Sequence, residues 1–109
     1  MQVAVIHTAF ENAPQTVAFV DVGEMETNEA LEYAFRWTNN VMGSWSIKKT
    51  ELETQDGQLI ENGDYNRNVT VMVERPDGMG LRSTSMGDQM LIGNTKYSVD
   101  MMGFSEIEG

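Results

Sequence analysis

Side chains that could act in catalysis are few in this sequence. His7 is the only histidine, and serine catalysis would need such a base close to Ser83 or Ser85. Neither serine lies in a G-x-S-x-G elbow, the turn that exposes the nucleophile of α/β-hydrolases. The S-x-x-K spacing of Ser46 to Lys49 lacks the companion motifs of penicillin-binding proteins. We therefore expect no catalytic residue, and a half-buried His7 that satisfies its hydrogen bonds within the fold.

Metal and phosphate motifs are equally scarce. A chain with no cysteine and one histidine lacks a ligand set for a transition metal. Asp64, Asn66 and Asn68 have the opening spacing of a calcium loop, but Arg75 stands where that loop needs a bidentate glutamate. The glycine-rich residues 78–82 precede a turn and a strand instead of a helix, so they predict no phosphate site. We expect no metal and no cofactor.

Paired carboxylates are common in the sequence and could serve general acid-base chemistry. A chain of 109 residues, however, has little room for a deep substrate cleft beside its own core. We therefore expect a protein without enzymatic activity.

Charge is the strongest global signal. The 17 acidic and 7 basic residues give a formal net charge of -10. Such a field repels polyanions, so we expect no direct binding of nucleic acid. Six acidic residues fall between Glu11 and Glu32 and five between Glu51 and Asp64, with no base in either segment. The ordinary interpretation is a solvated surface that keeps a small domain soluble, and the sharper one is an anionic face for a basic partner.

Nine acids from these two segments are the candidate partner-binding residues. They are Glu24, Glu26, Glu29, Glu32, Glu51, Glu53, Asp56, Glu61 and Asp64.

The composition predicts one cytoplasmic domain over residues 1–109. The absence of cysteine suits a reducing compartment. No apolar run approaches the roughly 20 residues of a membrane span, and no basic segment precedes an apolar one at the start of the chain. We expect a soluble, unsecreted protein without a membrane partner.

The elements that must position these residues follow from hydrophobic periodicity. Residues 3–8 predict a central strand that pairs with residues 16–22 in a hairpin. A helix over about residues 27–39 is predicted, with Thr27 as its N-cap and Ala30, Leu31, Ala34 and Phe35 on its apolar stripe. Residues 41–68 predict little regular structure apart from a turn at Asp56 and Gly57, between two short strands or between a strand and a loop. We expect this region to be the most mobile or variable.

The second half of the chain predicts strands. Residues 69–74 alternate as a strand that ends at a Pro-Asp-Gly turn. The apolar residues 90–92 and the alternating residues 97–101 flank Gly93 and Asn94, which predicts a tight hairpin. Ser83, Ser85 and Asp88 precede it, and we expect their side chains to bond backbone amides there. The fold class predicted is α+β: a mainly antiparallel sheet, one main helix packed on one face, and a C-terminal β-hairpin.

The same C-terminal stretch carries a family resemblance. Its motif residues are Ser83, Ser85 and Asp88 in the turn after Arg82, followed by Tyr97, Gly103 and Phe104. This order over residues 80–104 resembles the C-terminal module of YodL-type proteins of mobile elements and small phage proteins. The resemblance implies a small accessory protein of phage or plasmid origin, and it implies no catalytic residue.

Two hypotheses of function follow. In the first, the protein docks on a host protein in the host cytoplasm. In its sharper form the acidic segments imitate the phosphates of a nucleic acid and inhibit a restriction or CRISPR system. In the second, the protein is a structural or assembly module that binds itself or another phage protein through Tyr33, Trp37, Trp45 and the methionines. The first predicts a monomer and salt-sensitive binding, and the second predicts a salt-insensitive oligomer.

Overall fold

A computed structural model describes residues 1–108 of the chain. Within them one helix and eight strands form, and six of the strands make one antiparallel sheet in the order β5-β2-β1-β6-β7-β8. The elements are β1 (Gln2–His7), β2 (Gln15–Asp21), α1 (Thr27–Trp37), β3 (Glu51–Glu53), β4 (Leu59–Glu61), β5 (Val69–Val71), β6 (Gln89–Ile92), β7 (Thr95–Asp100) and β8 (Gly103–Ile107). The predicted α+β class is confirmed.

β1 lies in the middle of the sheet, between β2 and β6. Val5 lies opposite Ala18 of β2 and Met90 of β6, and all three side chains are fully buried. Ala4 and Ile6, which point to the other face, are buried as well. The central position and the β1-β2 hairpin agree with the sequence prediction, because a strand flanked on both sides is apolar on both faces.

α1 covers one face of the sheet with its apolar stripe, where Ala30, Leu31 and Ala34 are fully buried. The predicted N-cap is wrong by one residue. Glu26 is the N-cap, with extended backbone, and Thr27 is already helical. No side chain caps the first turn. The Ala30 amide donates to the Glu26 carbonyl, which is the first backbone hydrogen bond of the helix. In the part of the chain that the structure describes, no helix is long and apolar enough to cross a membrane.

The predicted turn at Gly93 and Asn94 is present, with Ile92 opposite Thr95 and a positive φ of 58° at Gly93. The strand after it begins earlier and ends one residue earlier than the predicted alternation. β7 ends at Asp100, Met101 and Met102 form a second tight turn, and β8 returns along β7. β8 was not foreseen, because the short polar run after Gly103 has little hydrophobic alternation.

Residues 41–68 hold more structure than the sequence indicates. Trp45 is fully buried in the core, and β3 and β4 form a separate two-stranded hairpin with a turn at Asp56 and Gly57. Leu52 and Ile60, which lie opposite each other, are the apolar pair of that hairpin. The turn at Asp56 and Gly57 and the two short strands around it agree with one of the two predicted alternatives.

Substitution of Thr27 by alanine tests the start of α1. Because no side chain caps this helix, we expect the free energy of unfolding to change by less than about 0.5 kcal/mol. Chemical denaturation measures the change, with Leu31→Ala as the positive control, since a buried leucine truncated to alanine costs about 2–5 kcal/mol. A loss of about 1 kcal/mol or more in Thr27→Ala would show that the hydroxyl caps the helix.

Candidate interaction surface

The predicted acidic residues fall on two groups of exposed positions and one buried position. Glu24 and Glu26 lie in the segment before α1, and Glu29 and Glu32 lie on α1 itself, all exposed. Glu51, Glu53 and Glu61 lie on the β3-β4 hairpin and Asp56 in its turn, and these are exposed as well. The structure thus divides the candidates between the helix region and the small hairpin.

The hairpin gathers three carboxylates on one side. Glu51 lies directly opposite Glu61, and Glu53 lies two residues along β3 from Glu51. Residues two apart on a strand share a face, so these three side chains form one surface, the acidic hairpin face. Leu59, opposite Glu53, adds an apolar side chain that is 64% exposed. Like charges directly opposite each other destabilise a strand pair, so this face is unfavourable within the isolated protein.

Asn62 fixes the base of the hairpin. Its buried side-chain amide donates hydrogen bonds to the carbonyls of Ser44, Ile47 and Lys49 at 2.9–3.2 Å. Its side-chain oxygen accepts from the Ser44 amide at 3.0 Å. Gly43 lies so close that a Cβ there would stand 2.2 Å from this oxygen, so a side chain at position 43 would displace it. Sequence analysis gave no sign of this role for Asn62.

Asp64 is the exception among the predicted partner-binding residues. Its side chain is fully buried, where it accepts from Arg36 at 3.2 Å and from the amides of Val41 and Met42 at 2.8 and 2.9 Å. The expectation that Asp64 contacts a partner is wrong, because its carboxylate joins the end of α1 to the segment that follows it. An aspartate in an acidic run has no sequence signature that separates these two roles.

A second buried carboxylate, Asp88, joins three parts of the chain. Its oxygens accept from the amides of Thr8, Ala9 and Ser85 at 2.7–2.9 Å. Arg82 donates to the same carboxylate through two nitrogens, at 2.7 and 2.8 Å. Burial by itself raises the pKa of Asp88, but the Arg82 guanidinium and these amides outweigh burial and hold that pKa well below its usual range.

Arg82 carries the network outward to Glu11. Its guanidinium donates to both oxygens of Glu11, at 2.8 and 3.1 Å, and these bonds lower the pKa of Glu11. The carbonyl of Arg82 accepts from the indole nitrogen of Trp45 at 2.9 Å. Trp45 therefore cannot contact a partner as the assembly hypothesis expects, because the whole side chain lies in the core.

His7 lies at the end of β1 beside this network. Its Nε2 atom is 3.0 Å from the Thr84 hydroxyl, which is 2.8 Å from the Thr38 hydroxyl. His7 is 2% exposed, less than the half-buried position that the sequence suggests, and burial lowers its pKa. The Asp88 carboxylate, at 3.9 Å, approaches the same Nε2 atom and so does not orient the ring through its second nitrogen. His7 and Thr84 are both closed to solvent, so a substrate has no access to them, and their hydrogen bond holds the fold together.

The motif residues of the C-terminal stretch occupy structural positions. The Ser83 hydroxyl accepts from the Asn40 amide at 2.8 Å, and the Ser85 amide donates to Asp88, so the expected bonding of backbone amides is confirmed for Ser83 and Asp88. Gly103, the first residue of β8, has a φ of 119°, a value that favours glycine. The ring of Phe104 packs edge-to-face on Phe35 with centroids 6.2 Å apart. Tyr97 packs, partly buried, against the core.

A shallow groove of about 580 Å³ runs beside β5. Its walls are residues 46–49, residues 69–75 except Met72, and residues 78–81. Lys48, Lys49 and Arg75 border it, which is three of the seven basic residues of the chain, and Glu74 borders it too. Lys48 packs over the ring of Tyr65, and its burial there lowers its pKa. This groove is therefore locally basic in an acidic protein, which the sequence did not reveal.

Among residues 1–108 no group of three or more histidine, cysteine, aspartate or glutamate side chains is placed to hold a metal ion. Comparison of the chain with models of protein families, with curated proteins and with solved structures gives no significant match. The resemblance of residues 80–104 to YodL-type modules therefore stays a prediction.

Substitution of Asp88 by alanine tests the buried network. Removal of the carboxylate leaves Arg82 and three backbone amides without their acceptor, so we expect a loss of about 3–5 kcal/mol in the free energy of unfolding. Chemical denaturation at pH 7 measures it, and Asp77→Ala, which breaks the exposed pair with Arg75, is the control and should change stability little. Equal effects of the two substitutions would contradict the role of Asp88.

The lowered pKa of His7 predicts how stability depends on pH. The unfolded chain, with a histidine pKa near 6.5, takes up a proton before the folded protein does, so stability falls as the pH falls below that value. Between about pH 7 and pH 5 the slope is at most one proton, or about 1.4 kcal/mol per pH unit. The His7→Gln variant should be less stable at pH 7, but its free energy of unfolding should not change between pH 7 and pH 5. A slope that survives in His7→Gln would assign the effect to other groups.

Proposed function

We propose that this chain is a non-enzymatic accessory protein that binds a basic partner protein through its acidic hairpin face, Glu51, Glu53 and Glu61. The observation that carries the proposal is the position of Glu51 directly opposite Glu61 on an exposed hairpin. This pairing costs stability in the free protein, and a cationic partner would relieve the repulsion on binding.

The surroundings of these carboxylates support an interface. The two N–H groups of the Asn62 side chain are shared among three carbonyls at the base of the hairpin, so the carboxylates are presented on a fixed backbone. Leu59 stands exposed on the same side as the carboxylates, and Ile60 is 49% exposed on the other. An exposed apolar side chain beside the carboxylates adds apolar area that a partner could bury.

The spacing of the carboxylates supports a partner that ordinarily binds nucleic acid. Residues two apart on a strand are about 6.6 Å apart along its axis, which applies to Glu51 and Glu53. The rise of two nucleotides on one strand of a duplex is about 6.8 Å. The hairpin would then take the place of a phosphate row in the partner's cleft, and a host restriction or CRISPR protein is the partner class that the predicted phage or mobile-element origin favours.

A matched pair of triple variants tests the proposal. Glu51→Gln/Glu53→Gln/Glu61→Gln removes the acidic hairpin face, and Glu24→Gln/Glu26→Gln/Glu29→Gln makes the same charge change around the start of α1. Against a panel of purified restriction and CRISPR proteins, we expect binding that duplex DNA competes with and that salt weakens, with dissociation constants raised about tenfold or more by the hairpin variant alone. Equal losses in both variants, or binding that salt and DNA leave unchanged, would refute the proposal.

Glu61→Gln should also stabilise the hairpin while it weakens binding. Removal of one of two facing charges is worth about 0.5 kcal/mol, which corresponds to about a twofold increase in the hydrogen-exchange protection of the hairpin amides. Amide exchange of Thr54 and Asn62, whose N–H groups bond within the hairpin region, measures the change. The matched control is Glu32→Gln on α1. Unchanged or lower protection in Glu61→Gln would mean that the facing carboxylates do not repel.

A further inference from the structure

The six-stranded sheet ends in two strands that pair on one side only among residues 1–108, β5 and β8. A strand with one paired side presents unpaired amide and carbonyl groups along the other. Both edges of this sheet therefore have hydrogen-bonding groups to offer to another strand.

The groups at the β5 edge follow from its pairing with β2. The Asn68 carbonyl accepts from Asp21, and the Met72 amide donates to Val17, so the even-numbered residues bond to β2. Bonding alternates along an antiparallel strand, so the amide and carbonyl of Val71 point away from β2, and the same alternation continued past the end of β5 would turn those of Val73 outward. They border the groove that holds Lys48 and Lys49.

The groups at the β8 edge follow in the same way. The two-residue turn at 101–102 is closed by Asp100 and Gly103, which are therefore a hydrogen-bonded pair. Ser105 and Ile107 bond to β7 in turn, and the backbone groups of Phe104 and Glu106 point outward.

Strand direction makes these two edges compatible. All neighbours in the sheet are antiparallel and the number of strands is even, so β5 and β8 run in opposite directions. A second copy placed beside the first in the same orientation would bring its β8 antiparallel to β5. The sheet would then continue from one copy into the next, and α1 of both copies would lie on the same face of the joined sheet.

Charge decides between the possible pairings of edges. β8 carries Glu106, and Glu108 follows it, both exposed. The β5 groove is bordered by Lys48, Lys49 and Arg75, against Glu74 and against Asp77, which pairs with Arg75 at 2.7 Å, so Lys48 and Lys49 supply its positive excess. Two β8 edges repel each other, two β5 edges repel each other, and only β5 with β8 brings opposite charges together.

We propose that copies of this chain join head to tail, with β8 of one copy paired to β5 of the next. Pairing Val71 with Glu106 and Val73 with Phe104 uses the outward groups of both strands. The same register places Glu108 beside Val69, near the end of β5 where Lys48 donates to the Asn66 carbonyl. The contact is heterologous, so it produces an open helical chain of copies, or a ring if the rotation closes. This contact uses neither the acidic hairpin face nor the aromatic side chains of the assembly hypothesis, and it goes beyond the proposed function. It replaces the monomer expected of a docking protein with a self-association that salt weakens.

Two blocked variants test the assembly. Glu106→Pro removes an outward amide of β8 that makes no bond within the protein, so the β7-β8 ladder remains. Val71→Pro does the same at β5. Sedimentation velocity should show that the average mass of the wild-type protein rises beyond that of a dimer as its concentration increases to about 1 mM. Each variant alone should stay a monomer over the same range. Mixed in equal amounts, the two variants should form a dimer and nothing larger, because each keeps one usable edge.

Lys48→Glu/Lys49→Glu replaces Val71→Pro if the proline variant does not fold, as judged by circular dichroism. It should raise the dissociation constant of self-association at least about tenfold, and Glu106→Lys/Glu108→Lys added in the partner copy should restore it. A wild-type protein that stays monomeric over the whole range would overturn the proposal. So would a dimer that persists in Val71→Pro alone, which would show that like edges pair.

Discussion

The buried carboxylate of Asp88 is the constraint on which the rest of the structure depends. It is fully buried in a domain of 109 residues, where an ion without partners would cost several kcal/mol. Three backbone amides and the Arg82 guanidinium surround it. These donors come from the end of β1 and from the turn before β6, so the two neighbouring strands cannot separate at that end without exposing the charge.

Asp64 is a second buried carboxylate that joins separate segments, here at the end of α1. Its carboxylate joins Arg36 of α1 to the amides of residues 41 and 42, and Asn62, two residues earlier, bonds to the carbonyls of residues 44, 47 and 49. A segment with little regular structure is thereby fixed by side chains instead of by a backbone ladder. The small acidic hairpin is a consequence, because three residue pairs alone would be marginal in water.

The ion pairs with buried aspartates determine which charges remain on the surface. Arg36 and Arg82 each pair with a buried aspartate, which removes two of the seven bases from the free surface. Three of the others gather at the groove beside β5. The surface is therefore acidic over the α1 region and the β3-β4 hairpin, and basic at one edge of the sheet. The proposed partner face and the proposed contact between sheet edges therefore draw on two separate regions of this surface.

The sequence by itself determined the elements whose pattern repeats. Alternation predicted β1, β2 and the hairpin around Gly93, and helical spacing predicted the stripe of Leu31 on α1, because apolar side chains must all face one core. Tertiary structure decided the rest. Whether Asp64 is solvated or buried depends on Arg36, 28 residues away, and whether Trp45 is exposed depends on Arg82, 37 residues away. A polar side chain has no periodicity of its own, so its partners, and with them the division between internal and surface charge, are set only when distant segments meet.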